Sequence, residues 1–291
     1  MLLPPFAAPI LSSIEKALSA AIPSPVGAQA SLFAAARYAL LAPGKRLRPL
    51  MFLTLLRDCR FSLDRALPLA AAIECIHAYS LIHDDLPCMD DDDTRRGQPT
   101  VHKVYGEAHA LLTGDYLLTR AFELIASAEQ CKASALLKTM RVLATRAGGF
   151  GMIGGQVLDI RLTASTQTSK VLDQMHRWKT GALFAAACEM ALVLAQQSQA
   201  LCTRLAAFGE QFGLAFQIAN DLADTSPGQK QKANFASYYT RDQVHALKQA
   251  HFKRAFTELD PVASHFPLFH SLVDALQAPF DALPSQNFFA R

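Results

Sequence analysis

Charge is scarce in this chain. Only 18% of its 291 residues are Asp, Glu, Lys or Arg, and the formal net charge is +3 with no block of Lys and Arg. The electrostatic footprint of a nucleic-acid binder is therefore absent. The six cysteines, Cys59, Cys75, Cys88, Cys131, Cys188 and Cys202, form no CxxC or Cys/His spacing. They read as reduced core thiols in a cytoplasmic protein, not as zinc ligands. The apolar start, Met1 to Phe6, lacks a basic segment and is broken by prolines, so a signal peptide is not expected. The most apolar later run, Leu183 to Ala195, contains Glu189 and is too short to span a bilayer. No Gly/Ser/Pro-rich linker, internal repeat or alternating strand pattern occurs, which predicts a single domain over 1–291.

What the chain does have is apolar material, 51% of its residues. Apolar positions recur three and four apart and predict helices at roughly 8–21, 27–41, 46–58, 64–86, 104–127, 131–147, 171–197, 199–224, 241–258 and 264–277. Helices 64–82 and 181–196 are apolar nearly all round and belong at the centre of a bundle. The expected fold is all-α, a large helical bundle of about ten helices.

One stretch stands out chemically. His83-Asp84-Asp85-Leu86-Pro87-Cys88-Met89 leads into Asp90-Asp91-Asp92-Asp93-Thr94-Arg95-Arg96-Gly97, with six aspartates in ten residues. Asp84 and Asp85 end an apolar helix, where the dipole disfavours each carboxylate by up to about 1 kcal/mol. Adjacent like charges add repulsion. A cation would offset both. Pro87 bars continuation of the helix, which lets Asp84, Asp85 and Asp90 converge. Clustered oxygen donors with no ligand-spaced Cys or His pair indicate Mg²⁺ in preference to zinc. A metal beside arginines suits a diphosphate.

Other clusters follow the same theme. Pro43-Gly44-Lys45-Arg46-Leu47-Arg48-Pro49 crowds three cations at a helix start, which reads as a phosphate site or a basic cap. His77 lies on the face of its helix that carries the aspartates. Gly114-Asp115 interrupts a helical pattern and reads as a kink at a close helix approach. Gly148 to Asp159 is glycine-dense, but no strand precedes it, so close packing or a helix break is expected instead of a nucleotide loop. Lys179-Thr180-Gly181 opens an apolar helix. Asn220-Asp221-Leu222-Ala223-Asp224 ends another, with Asp221 and Asp224 sharing a face and Lys230 and Lys232 following.

Taken together, these clusters resemble the trans-isoprenyl diphosphate synthases, and among them the bacterial farnesyl diphosphate synthases, from about residue 40 to residue 240. The resemblance rests on Gly44 to Pro49, Glu74 to Pro87, Met89 to Gly97, Gly114-Asp115, Gly151 to Asp159, Lys179-Thr180-Gly181 and Gly213 to Gln217. It implies condensation of isopentenyl diphosphate with dimethylallyl or geranyl diphosphate to farnesyl diphosphate, with two or three Mg²⁺ ions held by two facing aspartate motifs. In that picture Asp84, Asp85 and Asp90 bind metal, and Asn220, Asp221 and Asp224 form the second metal motif. Lys45, Arg48, His77 and Arg96 contact isopentenyl diphosphate. Arg95, Lys179 and Lys232 contact the allylic diphosphate. Thr180 and Gln217, with the Lys179 carbonyl, sit beside the developing cation. Tyr79, with Ser80 beside it, limits chain length from one turn below Asp84. A homodimer is implied, with neither nucleic acid nor a membrane span.

Two departures from the family pattern matter. Pro43 stands where a second glycine is usual. Asn220 stands where the second motif normally begins with an acid, and the loop after Asp224 is short. An amide is a weaker ligand for a hard dication, so impaired handling of the allylic substrate is expected. The alternatives are a weakly active or non-catalytic subunit that modulates a partner synthase, and a class I terpene cyclase, whose second motif this chain fits poorly.

Overall fold

A computed structural model of the chain describes residues 3–161, 169–223 and 239–281. The chain divides into two compact units, one of Phe6–Met140 and one of Arg141–Arg291 with Met1–Pro5. Among the described residues the fold is all-α, with one two-stranded ribbon.

The first unit contains α1 (Ala7–Ala21), α2 (Ala30–Leu40), α3 (Leu47–Asp58), α4 (Leu63–Asp84), β1 (Thr94–Arg95), β2 (Gln98–Pro99), α5 (Val101–Tyr105) and α6 (Glu107–Ala126). The helix α4 is its axis, packed against α6, α3 and α1. Leu69 to Ile76 is buried without a break, as expected of a helix that is apolar all round. Each large side chain buried there contributes about 1.5–3 kcal/mol. Among the described residues α4 alone is long and apolar enough to cross a membrane, and most of that window is buried within the protein. The helix stops at Asp84, and Pro87 follows in a tight loop.

The boundary at Met140 falls within α7 (Ala133–Ala147). The second unit then contains α8 (Met152–Arg161), α9 (Ser169–His176), a π-helical turn (Arg177–Gly181), α10 (Ala182–Leu194), α11 (Gln199–Ala223), α12 (Arg241–Leu259), a 3₁₀ turn (Asp260–His265) and α13 (Pro267–Asp281). An aromatic chain forms its core. Phe184 meets Phe212 edge-on at 5.7 Å, Phe212 meets Phe252 at 5.9 Å, and Phe208 meets Phe269 at 5.2 Å. Such contacts add about 0.5–1.5 kcal/mol each to their burial.

Four elements differ from those expected of the sequence. The 104–127 helix is two, α5 and α6, divided at Gly106, whose φ of 85° favours glycine. The 171–197 helix is α9, a π-turn and α10. Gly114 does not interrupt α6, which runs through it, although the close approach is real. The glycine-dense stretch is a break followed by a helix, α8, absent from the expected set. These divisions, with α8, raise the count to thirteen α-helices among the described residues.

Candidate active site

In the first unit the aspartate loop closes on itself. The Asp90 N–H donates to the Asp84 carbonyl oxygen at 2.8 Å, and Met89 and Asp91 N–H groups both donate to Leu86. Asp91 adopts φ 56°, which completes the reversal. Residues six apart in sequence are thereby joined, and Asp84 and Asp90 remain half-buried. Asp85 behaves differently. It is buried and accepts a hydrogen bond from Arg95 Nε at 2.9 Å and a second from Arg95 Nη2.

The two arginines are parted by a hairpin. Thr94 pairs with Pro99 and Arg95 with Gln98. The two-residue turn between them is Arg96-Gly97, with φ of 53° and 78°, the type I′ signature. Arg95 turns to Asp85 and to Asp92, whose Oδ2 lies 2.9 Å from Nη2. Arg96 turns to His77, with Nη2 and the ring Nε2 3.3 Å apart. It also lies against Gly44, where a Cβ would come within 2.7 Å of its Nη1.

The basic segment 45–48 divides its work. Arg46 is buried in a left-handed conformation (φ 49°) at the head of α3. Its Nη1 lies 2.9 Å from Glu74, its Nε 2.8 Å from Glu15, and its Nη2 donates to the Ala42 carbonyl at 2.8 Å. It is a structural lock. Lys45 is exposed and Arg48 half-buried. Burial lowers the Arg48 pKa to about 10, with Glu74 opposing and Arg96 adding to the fall. Burial, then the charges of Arg48, Arg96, Arg46 and Arg95, holds His77 neutral, well below its ordinary value. Burial also lowers Arg96, with Arg46 and Arg95 adding to the shift and Glu74 and Asp85 opposing it. Cations that depress one another's pKa values make a site suited to a polyanion. A cleft with about 40 Å³ of free space opens here, lined by Arg46, His77, Arg95 and Arg96 and by the apolar Leu81 and Val101.

Below the aspartates on α4, Tyr79 is 4% exposed, and its hydroxyl has no hydrogen-bond partner among the described residues. Burial and then the Asp84 charge push its pKa up to about 12. Its ring meets His83 edge-on at 5.8 Å. Ser80 donates to the His77 carbonyl at 2.9 Å.

In the second unit the π-turn carries Lys179 and Thr180. Lys179 Nζ lies 2.6 Å from Asp159 on α8, and Thr180 donates to Gln217 Oε1 on α11 at 3.2 Å. The turn nearly touches α8, since a Cβ on Gly155 would meet the Lys179 nitrogen at 2.2 Å. Asn220 is half-buried one turn beyond Gln217. The Asp221 side chain, Asp224 and Lys232 lie outside the described residues.

Of the candidate residues, Arg95 and Asp85 meet, as do Arg96 and His77, and Thr180 and Gln217. Asp159, Glu74 and Asp92, the partners of Lys179, Arg46 and Arg95, are not among the residues the sequence marks for the site. Asp159 had a signal, since it closes the glycine-dense motif.

No group of three or more His, Cys, Asp or Glu able to hold a metal occurs among the described residues. Mg²⁺ needs no such cage. It keeps several waters and takes one or two carboxylates plus phosphate oxygens. Asp84 and Asp90, an all-oxygen pair joined through the backbone, fit that requirement and do not fit a resident zinc ion.

A family model described as polyprenyl synthetase matches residues 29–236. Farnesyl diphosphate synthase of Geobacillus stearothermophilus is 44% identical over 214 residues, 73% of this chain and 72% of that protein. Farnesyl diphosphate synthase of Bacillus subtilis (strain 168) is 36% identical over 255 residues, 83% and 86% of the two chains. The crystal structure of a geranyltransferase from Helicobacter pylori, complexed with magnesium and isoprenyl diphosphate, superposes with a TM-score of 0.86 at 30% identity. It covers 97% of this chain and 100% of its own.

Proposed function

This chain belongs to the polyprenyl synthetase family, and on that footing we propose that it is a farnesyl diphosphate synthase-type prenyltransferase, joining isopentenyl diphosphate to dimethylallyl or geranyl diphosphate. The observation that carries this reading is the hairpin that turns Arg95 to Asp85 and Arg96 to His77 at one cationic cleft that both arginines line. Two neighbouring cations thereby take different partners, which suits a reaction with two diphosphates.

Lys45, Arg48, Arg96 and neutral His77 bind the diphosphate of isopentenyl diphosphate. Arg96 adds to the lowering of the Arg48 pKa against the pull of Glu74, and a bound diphosphate would offset that charge further. Arg95, Lys179 and Lys232 bind the allylic diphosphate. Asp84 and Asp90, with Asp221 and Asp224 in the second motif, hold Mg²⁺. Asp85 supports them by fixing Arg95. When bound, Mg²⁺ supplies charge neutralisation of the diphosphate leaving group. The C–O bond of the allylic substrate breaks with its electron pair on diphosphate. Thr180, Gln217 and the Lys179 carbonyl turn oxygen dipoles toward the allylic cation. The double bond of isopentenyl diphosphate attacks that cation, and the proton lost passes to the released diphosphate. The chemistry needs no Ser, Cys or His nucleophile. Tyr79 ends the apolar pocket at fifteen carbons.

The finer reading has two or three Mg²⁺ ions, one catalytic domain over the whole chain, a homodimer and a cytoplasmic setting. Incubation of purified protein with isopentenyl diphosphate, geranyl diphosphate and MgCl₂ should yield farnesyl diphosphate, with no product in EDTA. Absence of any prenyl product over the full Mg²⁺ range would favour the modulating-subunit alternative, which Asn220 suggests. Light scattering should return twice the chain mass.

A further inference from the structure

The π-turn is gripped at two points by one face of α11. Gln217 accepts the Thr180 hydroxyl at 3.2 Å. Seven residues earlier, two turns along the same face, Glu210 Oε1 lies 3.1 Å from Arg177 Nη1. Arg177 is the first residue of the turn and is held on its other side by Asp173, at 3.4 Å. The backbones are as close as the side chains. A Cβ on Gly181 would stand 3.0 Å from the Glu210 carbonyl, and one on Gly213 would stand 2.9 Å from the Gly181 Cα.

A π-turn leaves the i→i−4 ladder, so its phase depends on what holds it. Residues 177 and 180 are three apart in the turn, and their partners 210 and 217 are seven apart on α11. With both pairs in place the rotation of the turn is set, and so are the directions of the Thr180 hydroxyl and the Lys179 carbonyl. Glu210 has a second arginine nearby, Arg146 Nη1 at 4.0 Å, but Arg146 is committed to Glu189 at 2.8 Å.

We propose that Glu210, through its ion pair with Arg177, is a positioning residue that sets the π-turn carrying Lys179 and Thr180. The proposal rests on the reading that Thr180, Gln217 and the Lys179 carbonyl face the reacting carbon. Glu210→Gln and Arg177→Gln should each lower kcat about tenfold, because small misplacements of reacting groups are costly. The KM for isopentenyl diphosphate should not change. The double variant should be no worse than either single one, as coupled partners are non-additive. Arg146→Gln, which disturbs the other oxygen of the same carboxylate, should lower Tm and leave kcat within about twofold. Unchanged kcat in Glu210→Gln, or additive losses that follow Tm in all variants, would overturn the proposal. Thr180→Val and Gln217→Ala report on the underlying reading. Losses there without a loss in Glu210→Gln refute the positioning role alone. No loss in any of them refutes the reading as well.

Discussion

The imidazole of His83 fills the space that a side chain at position 114 would need. A Cβ on Gly114 would lie 2.0 Å from His83 Nε2. That nitrogen faces the Leu111 carbonyl at 3.0 Å, an acceptor only, so it carries the proton. The glycine in α6 therefore seats the ring that flanks both Tyr79 and Asp84 on α4.

Gly114→Ala should displace the ring, break its hydrogen bond to Leu111 and destabilise the protein by about 1–3 kcal/mol through overpacking. Urea unfolding should show a lower midpoint with an unchanged m-value. A midpoint equal to that of the parent protein would mean that His83 relocates freely.

Tyr79→Ala should lengthen the product. Removing a ring that is 4% exposed opens a void, which on the proposed reading extends the product pocket, and truncating a buried aromatic costs about 3–5 kcal/mol. Chromatography of the reaction should therefore show prenyl diphosphates longer than fifteen carbons, from a less stable enzyme. An unchanged product spectrum would remove Tyr79 from the chain-length role.

Arg46→Ala should be far more harmful to folding than Lys45→Ala. The Arg46 and Glu74 side chains are 2% and 4% exposed, so removing one partner strands a buried charge at about 3–5 kcal/mol. Lys45 is exposed, and its loss should instead raise the KM for isopentenyl diphosphate. Thermal melts and steady-state kinetics on the two variants separate these effects.

Asn220→Asp should restore an acidic ligand at the head of the second motif. The Mg²⁺ concentration giving half-maximal rate should fall severalfold, and kcat should rise. If neither changes, the amide is not what limits this enzyme.

Stability should decline on mild acidification. Burial, and then the charge of Lys179, lowers the His176 pKa to about 3, and His77 is held well below its ordinary value by burial and the arginines around it. For such groups the unfolded chain binds protons first, near about pH 6.5, while the folded protein does not. The stabilisation is complete above about pH 6.5 and is lost as pH falls toward the folded-state values, by up to about 1.4 kcal/mol per pH unit for each histidine. His176→Gln should flatten the Tm-against-pH curve below about pH 6.5.

Much of the fold was legible because helix patterning is local. Leu69 to Ile76 reads as a buried helix from its own composition, and Pro87 ends it by its covalent geometry. The π-turn leaves no mark in the sequence, because it alters the hydrogen-bond register within five residues and keeps the apolar spacing around it nearly intact. The helix α8 was hidden by its own glycines, which lower helix propensity but are needed where α8 meets the π-turn.

The sequence by itself determined the chemistry: clustered carboxylates, cations at a helix start, and acids at the ends of apolar helices are properties of residue type and order. Tertiary structure alone decided the division of labour among neighbours. Arg46 became a lock, while Arg48 was left beside Arg96. Arg95 was drawn to Asp85, and Arg96 to His77. Lys179 met Asp159, and Thr180 met Gln217. The members of these pairs lie 10 to 48 residues apart in sequence. Whether two such groups meet depends on how helices pack and how one turn is wound, and neither is written in the spacing of the residues themselves.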